Sequence, residues 1–170
     1  ATSGRGLLSM YVQDHGASLY RRGMYTLIKR TVPPPTMTIF DASNRDLCEV
    51  KRLKTNTPLQ ALVMMNDPHV LESSRVLASQ FSHEKGSLEE KLTRAFRRIV
   101  CRAPKEKELA MLKKYYETEQ ASCVQNPKKV QHLMKIGEYK QDKAAVTGST
   151  AAMMLTIQLI YNMEETIMRV

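Results

Sequence analysis

Tryptophan is absent from the sequence, and Phe, Tyr and Trp together make up only 6% of its 170 residues. Cysteine is nearly as scarce: Cys48, Cys101 and Cys123 are an odd number and lack any Cys-x-x-Cys spacing. A complete disulfide framework is thereby excluded, and no structural zinc pattern is present. One bridge plus a free thiol stays open. Buried single thiols are the simpler expectation, because free cysteine packs as a small hydrophobe. No Cys-x-x-Cys-His run offers a c-type haem attachment, so no cofactor is expected in this chain. Long apolar runs are missing too. The longest, Ala151 to Tyr161, is broken by Thr156 and Gln158 and is too short for a membrane span. The opening "ATSGRGLLSM" has neither an initiator Met nor a signal-peptide pattern. It reads as a piece of a longer protein, whose address label would lie outside it.

What is present is ordinary for a soluble domain: 42% apolar and 25% charged residues, with 11 methionines. Such a length supports one domain with a core of its own. Lys and Arg number 26 against 17 Asp and Glu, a net charge of +9. A surplus of that size permits nucleic acid, anionic glycan or acidic lipid as partner, but a scattered surplus is more often just a solvated surface.

Residues 1–17 read as loop or arm. From Leu19 to Arg30 the pattern fits a short helix or a strand, with Gly23 weakening the helix. Pro33, Pro34 and Pro35 fix φ and remove three N–H donors, which predicts an extended polyproline II segment. Thr57 before Pro58 and Asp67 before Pro68 are N-cap residues preceding a proline at the first helical position. Between them Leu59, Leu62, Val63, Met64 and Met65 predict a helix buried nearly all round. After Pro68 the apolar face is Val70, Leu71, Leu77, Ala78 and Phe81. Ser87 and Glu90 form a capping box for a helix faced by Leu88, Leu92, Ala95, Phe96 and Ile99. Pro104 and Asn126-Pro127 start two more, the first contacting through Leu109, Leu112, Tyr115 and Tyr116, and Gly137 marks a stop. A last long helix spans about 148–162, its face Ala151, Met154, Leu155, Leu159 and Ile160. No strand alternation and no repeat is visible. The fold expected is all-α, a helical bundle with an irregular, proline-braced N-terminal third: residues 1–18 as an arm, 19–170 as one helical domain.

Chemistry is thin. His15, His69, His83 and His132 are dispersed, and only Asp67-Pro68-His69 sets a carboxylate near an imidazole, so no metal site is expected. Gly-x-Ser-x-Gly, a Cys–His pair and a phosphate loop are all missing. Glu164 with Glu165, and Asp41 with Asp46, could act as paired acids only if they converge in space. Lys91, Arg94, Arg98 and Arg102 form a basic stripe at helical spacing, but without an aromatic stacking platform or a helix-turn-helix signature.

One stretch is more specific. Residues 20–75, "YRRGMYTLIKRTVPPPTMTIFDASNRDLCEVKRLKTNTPLQALVMMNDPHVLESSR", resemble the signature of the planctomycete PSD-type domain. That family reads Tyr-Arg-Arg-Ser-Leu-Tyr-Thr, Lys-Arg-Thr-x-Pro-Pro-Pro, Phe-Asp-Ala, Thr-Asn-Thr-Pro-Leu-Gln-Ala-Leu and Asn-Asp-Pro. Every block is here, with Gly23-Met24 in place of Ser-Leu. The resemblance extends thinly through "LMKIGE" and "YNMEETI", over roughly residues 19–167. It implies a domain of unknown function, C-terminal in large exported proteins of Planctomycetes and Bacteroidetes. Their upstream regions often carry a c-type cytochrome domain, so haem c would sit elsewhere in the parent. A periplasmic, extracellular or cell-surface location follows from the same resemblance. It supplies no catalytic residues.

The motif's polar groups are the candidate ligand-binding set: Asp41, Arg45, Asn56, Gln60, Arg22 and Arg30. They could converge on a glycan or anionic ligand. Alternatively they are architecture, with Asn56 and Thr57 capping one helix, Asp67 the next, and Arg22 or Arg30 paired with Asp41. The leading functional reading is a non-catalytic interaction or scaffold module that docks other domains of its parent or a glycan. The alternatives are part of a polysaccharide-active redox or hydrolytic enzyme and, behind it, a basic nucleic-acid binder.

Overall fold

Proline and capping side chains set most of the helix starts. The computed structural model describes residues 11–29, 32–43, 48, 50–51 and 54–168, and among them are eight α-helices and no β-strand. They are α1 (Pro35–Ile39), α2 (Pro58–Asn66), α3 (Pro68–His83), α4 (Leu88–Val100), α5 (Glu106–Gln125), α6 (Pro127–Met134), α7 (Gly148–Tyr161) and α8 (Glu164–Ile167). The class is all-α, as the helical spacing predicts. The chain divides into two compact units, Ala1–Gln60 and Ala61–Val170, and the division falls within α2.

The first unit is irregular. Leu19 to Lys29 is neither helix nor strand: single 3-10 turns occupy Gly16–Ser18 and Gly23–Tyr25, and an isolated bridge joins Lys29 to Val32. Tyr11 locks that bridge. Its hydroxyl donates to the Val32 carbonyl at 2.5 Å and accepts from the Lys29 amide at 3.1 Å, while the Lys29 ammonium lies 4.8 Å above its ring. The proline run departs from expectation. Pro34 is extended (φ −57°, ψ 127°), but Pro35 opens α1. A first-turn N–H has no intrahelical partner to lose, so proline at that position favours the helix instead of forbidding it. The turn that follows ends on Asp41 in the left-handed region, φ 56°.

In the second unit α7 is the central element, packed mainly on α3 and α5 and also touching α4 and α6. Ala151, Ala152, Met154, Thr156, Ile157 and Ile160 are fully buried on it. Its one polar member there, Thr156, satisfies its hydroxyl on the Ala152 carbonyl at 2.8 Å. Phe81 of α3, Leu92 and Phe96 of α4, Leu112 of α5 and Met134 of α6 complete the core. Each such side chain contributes about 1.5–3 kcal/mol by leaving water.

Several expectations need correction. Leu59, Leu62 and Met65 of α2 are exposed, and Gln60 is its one buried residue. A uniformly apolar stretch allows burial on any side but does not supply neighbours to cover it. On α7, Leu159 is exposed whereas Ala152, Met153 and Ile157 are buried, since this helix is enclosed on more sides than one stripe. The fifth helix begins at Glu106, two residues after Pro104, with the Glu108 carboxylate accepting from the Lys105 amide at 2.7 Å. Cys48 and Cys101 are exposed, not buried, and only Cys123 joins the core, where burial pushes its thiol pKa up; all three are free.

Candidate functional site

Of the six candidate residues, Arg30 and Arg45 lie outside the described residues, as does Asp46. Two of the remaining four, Asp41 and Gln60, are brought together within the first unit through Thr55. The Asp41 carboxylate accepts from the Thr55 amide at 2.7 Å and from its hydroxyl at 2.8 and 2.9 Å. The same hydroxyl accepts from the Gln60 amide group at 3.1 Å, and that group also donates to the Ile39 carbonyl at 2.8 Å. The carbonyl end of Gln60 accepts from the Thr57 amide at 3.2 Å, and the Thr57 hydroxyl accepts from the Gln60 amide at 3.4 Å. Thr-x-x-Gln is thus a reciprocal capping box, and Gln60 is 1% exposed with both ends of its amide occupied. Arg22 and Asn56 are exposed and stand outside this network. Asp41 forms no ion pair with Arg22 among the described residues, and Thr57 caps α2 without help from Asn56.

The acidic pairs and the basic stripe resolve similarly. Asp67 caps α3 by accepting from the His69 amide at 2.7 Å, and its carboxylate lies 3.2 Å from the exposed His69 ring. Glu165 and Glu108 both bind Arg102, at 2.7–2.8 Å, tying the end of α4 to the start of α5 and to α8. The guanidinium holds the Glu108 carboxyl down to about 2 and lowers that of Glu165, while its own pKa rises. Arg94 pairs with Glu84 at 2.8 Å, and Arg98 donates to Gln80 at 3.2 Å. Three of the four stripe residues are therefore engaged within the chain. No group of three or more His, Cys, Asp or Glu side chains could hold a metal among the described residues.

Two sites in the second unit escaped the sequence reading. Arg75 is 2% exposed on the core side of α3 and donates to the carbonyls of Ile136 at 3.0 Å and Tyr139 at 2.8 Å. One helical turn earlier, Glu72 is also buried, 3.6 Å from the guanidinium, and accepts from the Tyr139 amide. Gly137 passes this pair with φ +89°, so close that a Cβ would overlap the Glu72 carboxylate. The arrangement staples the loop after α6 to α3. A legible signal existed: Arg75 falls four residues after Leu71 and three before Ala78, on the apolar stripe, with a carboxylate three residues upstream.

The other site is an open groove of about 480 Å³ between the end of α3, the start of α4, Tyr116 of α5 and the start of α7. Ala78, Phe81, Leu88 and Met153 are its apolar lining, and His83, Lys91, Tyr116 and the hydroxyls of Thr147, Ser149 and Thr150 its polar one. At its rim His83 hydrogen-bonds Asp142, which lowers the Asp142 carboxyl pKa. Its residues come from four separated segments, which is why no spacing pattern announces it.

The sequence model of PSD1, "Protein of unknown function (DUF1553)", matches residues 5–116, more than half of the chain. The chain belongs to the PSD1 family. The match covers the proline run, the Asp41–Gln60 network and helices α1 to α4, and it ends inside α5. It is thus shorter than the resemblance traced to residue 167, and α6, α7 and α8 lie beyond it. Neither a curated protein nor a solved structure matches this PSD1 chain.

Proposed function

We propose that this PSD1 chain is a non-catalytic interaction module of a larger exported protein. In that reading it lies in the periplasm or on the cell surface and docks the other domains of its parent, with any haem c carried by those domains. The observation that supports it is how the signature's polar groups are used. Asp41, Thr55, Thr57 and Gln60 bond to one another and to the Ile39 carbonyl, and Asp67 is a cap. Side chains already committed as caps and buried amides are poor candidates for proton transfer or nucleophilic attack, which need groups free to reach a substrate. Leu59, Leu62 and Met65, exposed at every third position of α2, offer the apolar contact a docking helix uses.

Titration of the isotope-labelled chain with the separately produced flanking regions of its parent, followed by amide shifts, tests this. Saturable shifts along α2 are expected, with Leu62→Asp abolishing them while the fold is kept. Turnover of a polysaccharide by the purified chain, lost in Asp41→Asn without loss of stability, would contradict the reading and make Asp41 a reacting group.

A further inference from the structure

The groove of the second unit has a composition that suits a ligand of definite chemistry. Tyr116 is 8% exposed and lines the groove, yet its hydroxyl has no hydrogen-bond partner among the described residues. The residue is nine-tenths buried, and the groove is open space that it lines. Lys91 lines the same space and carries no ion pair among the described residues, although the other three members of its stripe are engaged. The first turn of α7, a helix of 14 residues, lines the same groove. There the hydroxyl of Thr147 caps the Thr150 amide at 3.2 Å and contacts Ser149 at 3.0 Å. The first-turn N–H groups and the positive end of the helix dipole face outward at such a terminus. The carboxylates beside the groove are already engaged, Asp142 with His83 and the Ala144 amide, and Glu90, which lies against Gly86, with the Ser87 amide. Donors and positive charge therefore exceed free acceptors, while Ala78, Phe81, Leu88 and Met153 line the groove with apolar surface.

The geometry points to a binding site for a small organic carboxylate with an apolar body. Its carboxylate pairs with the Lys91 ammonium and accepts from the Tyr116 hydroxyl, and its body rests on Phe81, Leu88 and Met153. A volume of about 480 Å³ is in the range of small-molecule pockets. An inorganic oxyanion would leave the apolar lining unused, and a neutral analogue would leave Lys91 unpaired. The proposal concerns the second unit alone and stands apart from the docking reading, which concerns α2 and the signature motif.

Amide-shift titrations with benzoate, benzamide and inorganic phosphate test it on the whole chain. Benzoate is expected to give saturable shifts at Gly86, Tyr116, Ser149 and Thr150, with benzamide and phosphate each at least about tenfold weaker. Tyr116→Phe and Lys91→Met should each weaken benzoate about tenfold, as loss of a hydrogen bond to a charged group does, with the melting temperature unchanged. Absence of benzoate shifts in the groove overturns the site. Equal affinity for benzamide, or undiminished binding by both variants, overturns the role of charge and hydroxyl. Phosphate binding as tight as benzoate overturns the organic ligand.

Discussion

At the scale of single residues, the buried Arg75 shows how a charge becomes structural. Its guanidinium has left water, and two loop carbonyls together with Glu72 replace the lost hydration. Removing one partner strands the rest, which costs more than the pair itself contributes. Arg75→Ala should therefore lower stability by about 3–5 kcal/mol in urea unfolding. Glu72→Gln, which keeps an acceptor for the Tyr139 amide, should lose clearly less. Gly137→Ala tests the other side of the staple. A left-handed φ and the overlap of its Cβ with Glu72 should cost about 1–3 kcal/mol, measured in the same way. A loss under 0.5 kcal/mol, the ordinary scatter of surface changes, would show that the loop is not pinned there.

At the scale of elements, the sequence is most legible where one side chain answers one local backbone need. Thr57, Asp67, Ser87 and Asn126 cap helices as their spacing predicts, because a cap is decided within four residues of chain. Burial is not local. The apolar α2 is exposed on Leu59, Leu62 and Met65, and the polar Gln60 is buried, because what covers a helix is settled by distant segments. The Asp41–Thr55 contact was missed for the same reason. The sequence marks Asp41 as a turn acid but does not say that a threonine 14 residues on will receive it. Arg102 joins three helices and makes its own prediction. Glu108 is held down to about 2 from the ordinary 4.5, and Glu165 moves the same way. A depressed carboxyl contributes its full stability above the unfolded value and loses it as pH falls through the folded one. Acid unfolding should therefore steepen below pH 4.5. In Arg102→Gln the decline between about pH 4.5 and 2 should be shallower, read from urea midpoints at each pH. An unchanged slope would mean that the two carboxylates are not held by Arg102.

At the scale of the whole molecule, the family signature and the core occupy different parts of the chain. The signature blocks build much of the irregular first unit, the cap of α2 and, through Asp67, the cap of α3, whereas the central helix α7 lies beyond the family match. The account's central claim is that the signature's polar residues hold the fold together and are not kept free for chemistry. Amide hydrogen exchange of Asp41→Ala against the native chain tests that most directly. The Thr55 amide, bonded to Asp41 at 2.7 Å, should lose its protection first, followed by those of Thr57 and Gln60, while Ala151 and Ile157 in α7 exchange as before. Unaltered protection at Thr55, Thr57 and Gln60 would contradict it, for Asp41 would then be holding nothing and its carboxylate would be available to a ligand.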